Sequence, residues 1–143
     1  MTSPLFKPLK IKSLNLPNRI VMAPMTRSKS PGGVPGEDVA DYYARRAAAD
    51  VGLIVTEGTT VKRGGSSNDP NVPNFYKPEA LAGWKRVVEK VHAVNGLIAP
   101  QLWHQGMMRK PGTGPEPDAP TDSPSGITHS GKQVFDAPTS AEV

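Results

Sequence analysis

The sequence predicts an α/β fold built on a parallel sheet, and three observations carry that prediction. Three short apolar runs, at residues 20–25, 52–56 and 97–103, have the composition of strands buried on both faces. Two stretches between them, 38–50 and 81–94, repeat apolar side chains at helical spacing. The resulting order of strand, helix, strand, helix, strand is that of right-handed βαβ crossovers. A doubly wound sheet and a (β/α) barrel share this order, and three strands do not choose between them by periodicity.

The elements follow in turn. Residues 5–19 alternate apolar and polar from Leu9 to Leu16, with a break at Lys12-Ser13, which predicts a short hairpin. Pro24 ends the run 20–25 because proline has no ladder donor. Ser-Pro-Gly-Gly-Val-Pro-Gly at 30–36 is a loop by composition. Val39, Tyr42, Tyr43 and Ala47 then mark one helix face, with Glu37 and Asp38 at the end where negative charge suits the helix dipole. After a polar stretch at 62–74, Leu81, Trp84, Val88 and Val91 form the face of a second helix, widened by Val87 and Val94 and stopped by Asn95-Gly96.

Residues 105–143 differ in kind, with six prolines and five glycines, and predict a long loop. Pro117 to Pro120 matches PxxP, a pattern common in any proline-rich loop. At its end, Thr139-Ser140-Ala141-Glu142 fits a capping box, which predicts the start of a next helix and a chain that is the front part of something longer.

Composition excludes several classes of function. Glycine and proline fill 30 of the 143 positions, high for a globular chain but below a low-complexity one. There is no cysteine, so thiolate catalysis, disulfides and cysteine-held zinc are ruled out. The net charge of +4 is scattered, so no nucleic-acid partner is expected. No run is long enough for a membrane span and the start lacks a signal-peptide layout, so a cytoplasmic location is expected.

In parallel α/β folds ligands bind at the carboxyl ends of the strands. Those ends carry Pro24-Met25-Thr26-Arg27, Thr56-Glu57-Gly58-Thr59-Thr60 and Gln101-Leu102-Trp103-His104-Gln105-Gly106. They offer a hydroxyl at Thr26, an open backbone at Gly58, and an amide and imidazole at Gln101 and His104. Neither a GxGxxG nor a P-loop is present, and His92, His104 and His129 have no metal-ligand spacing. A neutral rim of this kind suits a flat polar heterocycle better than a metal or free phosphate.

Three segments are recognisable at this point: Leu5-Phe6-Lys7-Pro8-Leu9, Asn18-Arg19-Ile20-Val21-Met22-Ala23-Pro24-Met25-Thr26-Arg27, and Gln101-Leu102-Trp103-His104. Together they resemble the amino-terminal part of the old yellow enzyme family, the FMN-dependent ene-reductases, over essentially the whole chain. The resemblance implies a (β/α)8 TIM barrel, of which this chain supplies the hairpin 5–19, the first three β/α units at 20–104, and a long active-site loop with the start of the next helix at 105–143.

By the same resemblance, Pro24 and Met25 lie against the flavin and Thr26 hydrogen-bonds near its O4, tuning its reduction potential. Gly58 falls where a small residue lets the backbone approach the isoalloxazine. Gln101 reads the pyrimidine edge, since one amide both donates and accepts. Trp103 is similar to the family's substrate-pocket tryptophan, with packing in the barrel as the other reading. The implied cofactor is FMN with NAD(P)H as reductant, and the implied partner is a small activated alkene such as an enone, reduced by ping-pong hydride transfer. Thr26 places the chain in the branch with threonine rather than cysteine at this position. Residues 63–68 depart from the pattern by lacking a pocket tyrosine, and Met107 stands where an arginine often follows the Trp-His pair.

A barrel takes roughly 200 residues at the least. The 143 residues are therefore expected to be an incomplete portion that needs the remainder of the barrel from the same or another chain, and to be poorly soluble or self-associated alone. An inactive fragment or a non-catalytic binding or assembly module is the alternative.

Overall fold

The computed structural model describes residues 3–127 and 130–133. His129 and the capping box at 139–142 lie outside them. The hairpin forms as expected: β1 (Leu9–Ile11) pairs antiparallel with β2 (Leu14–Leu16), and the two-residue turn places Lys12 at φ 52°. Asn18 ties it to the body, donating from Nδ2 to the Asp50 carbonyl at 2.7 Å while Oδ1 accepts from the Ile20 amide at 3.0 Å.

Three parallel strands follow in sequential spatial order: β3 (Val21–Met22), β4 (Leu53–Thr60) and β5 (Ile98–Trp103). The connections are α1 (Glu37–Ala47) and α2 (Pro78–Ala93). Their charges follow the dipole, with Glu37 and Asp38 opening α1 and Arg45 and Arg46 closing it.

Both helices end on a left-handed residue that is not glycine. At α2, Asn95 (φ 59°) donates to the His92 carbonyl and Gly96 to that of Val91. At α1, Asp50 (φ 62°) and Val51 make the corresponding bonds to Ala47 and Arg46. These are Schellman-type closures, and the short polar side chains of Asn and Asp tolerate that conformation best after glycine. The helix expected to reach Asp50 thus ends at Ala47, and residues 48–50 are its cap.

The core lies between the helices and the outer face of the sheet: Val39, Ala40, Tyr43 and Ala47 from α1, Ile54 from β4, and Trp84, Val87 and Val91 from α2. The buried face of α2 is rotated from the predicted one. Ala80 and Gly83 are inside, whereas Leu81 and Val94 are exposed. Helix packing selected the side with small residues: a β-carbon on Gly83 would lie 2.5 Å from the Pro35 carbonyl oxygen. Leu81 and Val88 instead flank a shallow cleft over Ile98 and Pro100, about 220 Å³ in volume.

Two further expectations are corrected. The first strand is only two residues long and Val21 is half exposed, because β3 is an edge strand whose inner face nothing covers among the described residues. Residues 105 onward are not without structure: a 3-10 turn spans Gly106–Met108, and the next residue, Arg109, is buried.

Candidate cofactor and substrate site

The site depends on one irregularity in β4. Val55 pairs with Ala99, yet the next pair is Gly58 with Gln101, so β4 carries one extra residue there. Such a bulge breaks the in-out alternation. Before it, even-numbered Ile54 faces the helices; after it, Glu57 does so, and Gly58 turns to the inner face with its partner Gln101. Thr56 bridges the break, its hydroxyl accepting from the Gln101 amide at 3.2 Å and donating to the Glu57 carbonyl at 2.7 Å. Thr59 Oγ1 donates to the Gln101 carbonyl at 2.8 Å. The main chain of Gln101 is thus held on both sides, while its carboxamide has no hydrogen-bond partner among the described residues.

Gly58 and Trp103 meet directly. A β-carbon at 58 would lie 2.7 Å from Cδ2 of the indole, so Trp103 occupies the space the glycine leaves. Gly58, Gln101 and Trp103 therefore share one face of β4 and β5.

Pro24, Met25 and Thr26 follow β3 as exposed, irregular chain, and the Thr26 hydroxyl is also without a partner among the described residues. Arg27 anchors this segment from the other side. Its main-chain N–H donates to Glu57 Oε2 at 3.2 Å, and its Nη2 and Nε donate to Oε1 at 3.1 and 3.3 Å. Glu57 is fully buried, and a buried carboxylate is tolerated only when so paired. Tyr43 completes the set: its oxygen accepts from the Glu57 N–H at 2.8 Å and its hydroxyl donates to Oε1 at 3.4 Å. Burial pushes the Tyr43 phenol well above its usual range, with the adjoining carboxylate adding to the rise, so it stays protonated. The Arg27 guanidinium also lies 3.6 Å from the centre of the Tyr42 ring.

Beyond Trp103, His104 Nδ1 accepts from the Gly106 N–H at 2.9 Å, which leaves the ring proton on Nε2, 3.0 Å from Asp122 Oδ1. Asp122 Oδ2 pairs with Arg63 Nε. This His104–Asp122–Arg63 chain lines an open cavity of about 720 Å³ that also touches Val61, Lys62 and Ser123.

Asn68 joins the loop after β4 to the loop after β5, and Arg109 gathers the latter on itself. Arg109 sends its guanidinium inward to the carbonyls of Thr113 and Glu116 at 2.8 Å, Pro117 at 3.3 Å, and Ala119, and to Thr121 Oγ1 at 3.2 Å. Asn68 accepts from Thr113 Oγ1 at 2.9 Å and from the Lys110 amide, and donates from Nδ2 to the Met108 carbonyl at 3.1 Å. Sequence reasoning noted Met107 where an arginine was expected and Asn68 in a departing segment, but not that Arg109, two positions later, gathers the loop. It also missed the Arg27–Glu57–Tyr43 set; a glutamate directly after a buried-type strand run was the available signal. Among the described residues no group of three or more acidic or histidine side chains could hold a metal.

The profile of the NADH:flavin oxidoreductase / NADH oxidase family matches residues 4–142. The 12-oxophytodienoate reductase 7 of Oryza sativa subsp. japonica is 45% identical over 104 residues, covering 73% of this chain and 26% of that protein. Flavin oxidoreductase hxnT of Emericella nidulans is 40% identical over 143 residues, covering 94% of this chain and 36% of that protein. Among solved structures, morphinone reductase superposes with a TM-score of 0.82 at 35% identity, over 96% of this chain and 40% of that one. The chain thus spans between 26% and 40% of the length of these relatives.

Proposed function

The chain belongs to the NADH:flavin oxidoreductase / NADH oxidase family, and from that premise we propose that it forms the flavin-facing first three strands of a (β/α)8 ene-reductase barrel. FMN is the family's cofactor, with NAD(P)H as reductant. When bound, FMN supplies the relay that passes hydride from reduced nicotinamide to the β-carbon of an activated alkene such as an enone.

The observation that carries this reading is the unpartnered carboxamide of Gln101, held by its main chain on the inner sheet face beside Gly58. An amide both donates and accepts, which fits the alternating donors and acceptors at the pyrimidine edge of a flavin. The Thr26 hydroxyl, equally unengaged, supplies a donor for the O4 region, and Pro24 and Met25 supply apolar surface for the ring. Trp103 walls the substrate side, and the cavity beyond it at His104 and Asp122 has room for a small organic substrate. His104 has both ring nitrogens committed to hydrogen bonds, so its part is to shape that wall and not to transfer protons.

Purified protein tests the reading. A flavin absorption band that NADPH bleaches and an enone restores is the expected result, with the carboxyl-terminal part of a homologous barrel co-expressed to complete the site. Failure to retain FMN even then would move the assignment to a non-catalytic binding or assembly module.

A further inference from the structure

We propose that Glu57, Arg27 and Tyr43 act together as positioning residues that fix the Thr26 hydroxyl, and thereby set the reduction potential of the bound flavin. The proposal rests on the FMN reading above and goes beyond it, because none of the three faces the flavin side of the sheet.

Thr26 lies in a segment that has left the β-ladder, so no strand hydrogen bond holds it. What holds it is its neighbour. The Arg27 N–H is donated to Glu57, and because a trans peptide sets its carbonyl opposite its N–H, the Thr26 carbonyl faces away from that carboxylate. The same carboxylate takes the Arg27 side chain through two nitrogens, which fixes the residue at both main chain and side chain.

Glu57 in turn is held from two directions. The bulge in β4 aims it at the helices, and Tyr43 of α1 grips both its N–H and its Oε1. Arg46, one turn after Tyr42, lies 3.4 Å from the centre of the Tyr42 ring on which Arg27 also rests. Helix α1 is thereby coupled to a hydroxyl that it does not touch. A hydroxyl fixed in advance stabilises charge on a reduced ring without having to reorganise. One that wanders does so less.

The experiment measures the midpoint potential of FMN in the loaded protein for the wild type, Y43F, R27K and E57Q, each in a Thr26 and a T26A background. Y43F removes one hydroxyl and keeps the ring, so it preserves a folded protein if E57Q does not. The expected result is a several-fold loss in the preference for reduced over oxidised FMN in Y43F and R27K, and no further change when either is combined with T26A. An unmoved potential in both variants would overturn the proposal, as would an equal shift with and without Thr26, which would mark the set as merely structural. A completed wild-type barrel that takes up no FMN would instead overturn the functional reading itself.

Discussion

The indole of Trp103 rests on the bare Cα of Gly58: a β-carbon there would fall 2.7 Å from Cδ2 and 2.9 Å from Cγ. Those separations are below any normal carbon contact, and they tie the packing of Trp103 to one glycine.

Gly58→Ala should therefore displace Trp103 and destabilise the protein by about 1–3 kcal/mol, the usual cost of overpacking. In a Trp84→Phe background the fluorescence of Trp103 would report the move. Because the penalty arises from one pair, G58A should cost almost nothing when combined with Trp103→Ala. A full penalty in the double variant would show that the clash lies elsewhere.

Arg109→Ala should loosen the loop at 110–121 without unfolding the core. It removes charge-assisted bonds to four carbonyls and a hydroxyl, each worth about 1.5–3 kcal/mol in such settings and not additive. Limited proteolysis should then cut within 110–121 while cutting in α1 and α2 stays unchanged. R109K should rescue only in part, since an ammonium cannot reach five acceptors at once.

Helices were legible in the sequence because burial of one face imposes a period, the parallel strands because burial of both faces leaves an unbroken apolar run, and the hairpin because its alternation breaks at Lys12-Ser13. The β4 bulge was not: the apolar run stops at Thr56, so the sequence carries no sign that the strand continues to Thr60, and the extra residue exists only relative to β5. The buried side of α2 was misjudged because Ala80 and Gly83 carry little apolar weight yet permit the closest approach. For the site, Gly58 and Gln101 were singled out by their place at strand ends and Trp103 by the resemblance, and the three share one face of β4 and β5. Arg109, Asp122 and Asn68 were beyond reach, since their partners lie on loops brought together only by the fold.

The α1–α2 surface should show a pH window. Lys90 pairs with Glu37 and donates to Asp41 Oδ1 at 2.6 Å. The hydrogen bond from Lys90 holds the Asp41 carboxyl below its usual range, and the bonds to Asp41 and Glu37 raise Lys90 above its own. Asp41 therefore contributes stability above about pH 3.9, lost as pH falls through its lowered value, and Lys90 contributes below about pH 10.4, lost as pH rises through its raised one. Asp41→Asn should lower Tm modestly near neutral pH, where screening limits such exposed pairs. Melting curves should converge with those of wild type at both extremes; a difference independent of pH would contradict the assignment.

Taken alone, the 143-residue chain should self-associate. Val21 on β3 and Leu102 on β5 are exposed apolar side chains on edge strands, which template further pairing. Sedimentation showing a compact monomer with a cooperative melt would contradict this.

The flavin-facing role of the inner sheet is tested most directly by FMN titration of the completed barrel carrying Gln101→Leu. Leucine keeps the volume and removes the edge partner, so affinity should fall about tenfold or more, as expected for a lost polar contact of about 1–3 kcal/mol. Unchanged FMN affinity in a folded Q101L protein would contradict the assignment of this face to the flavin.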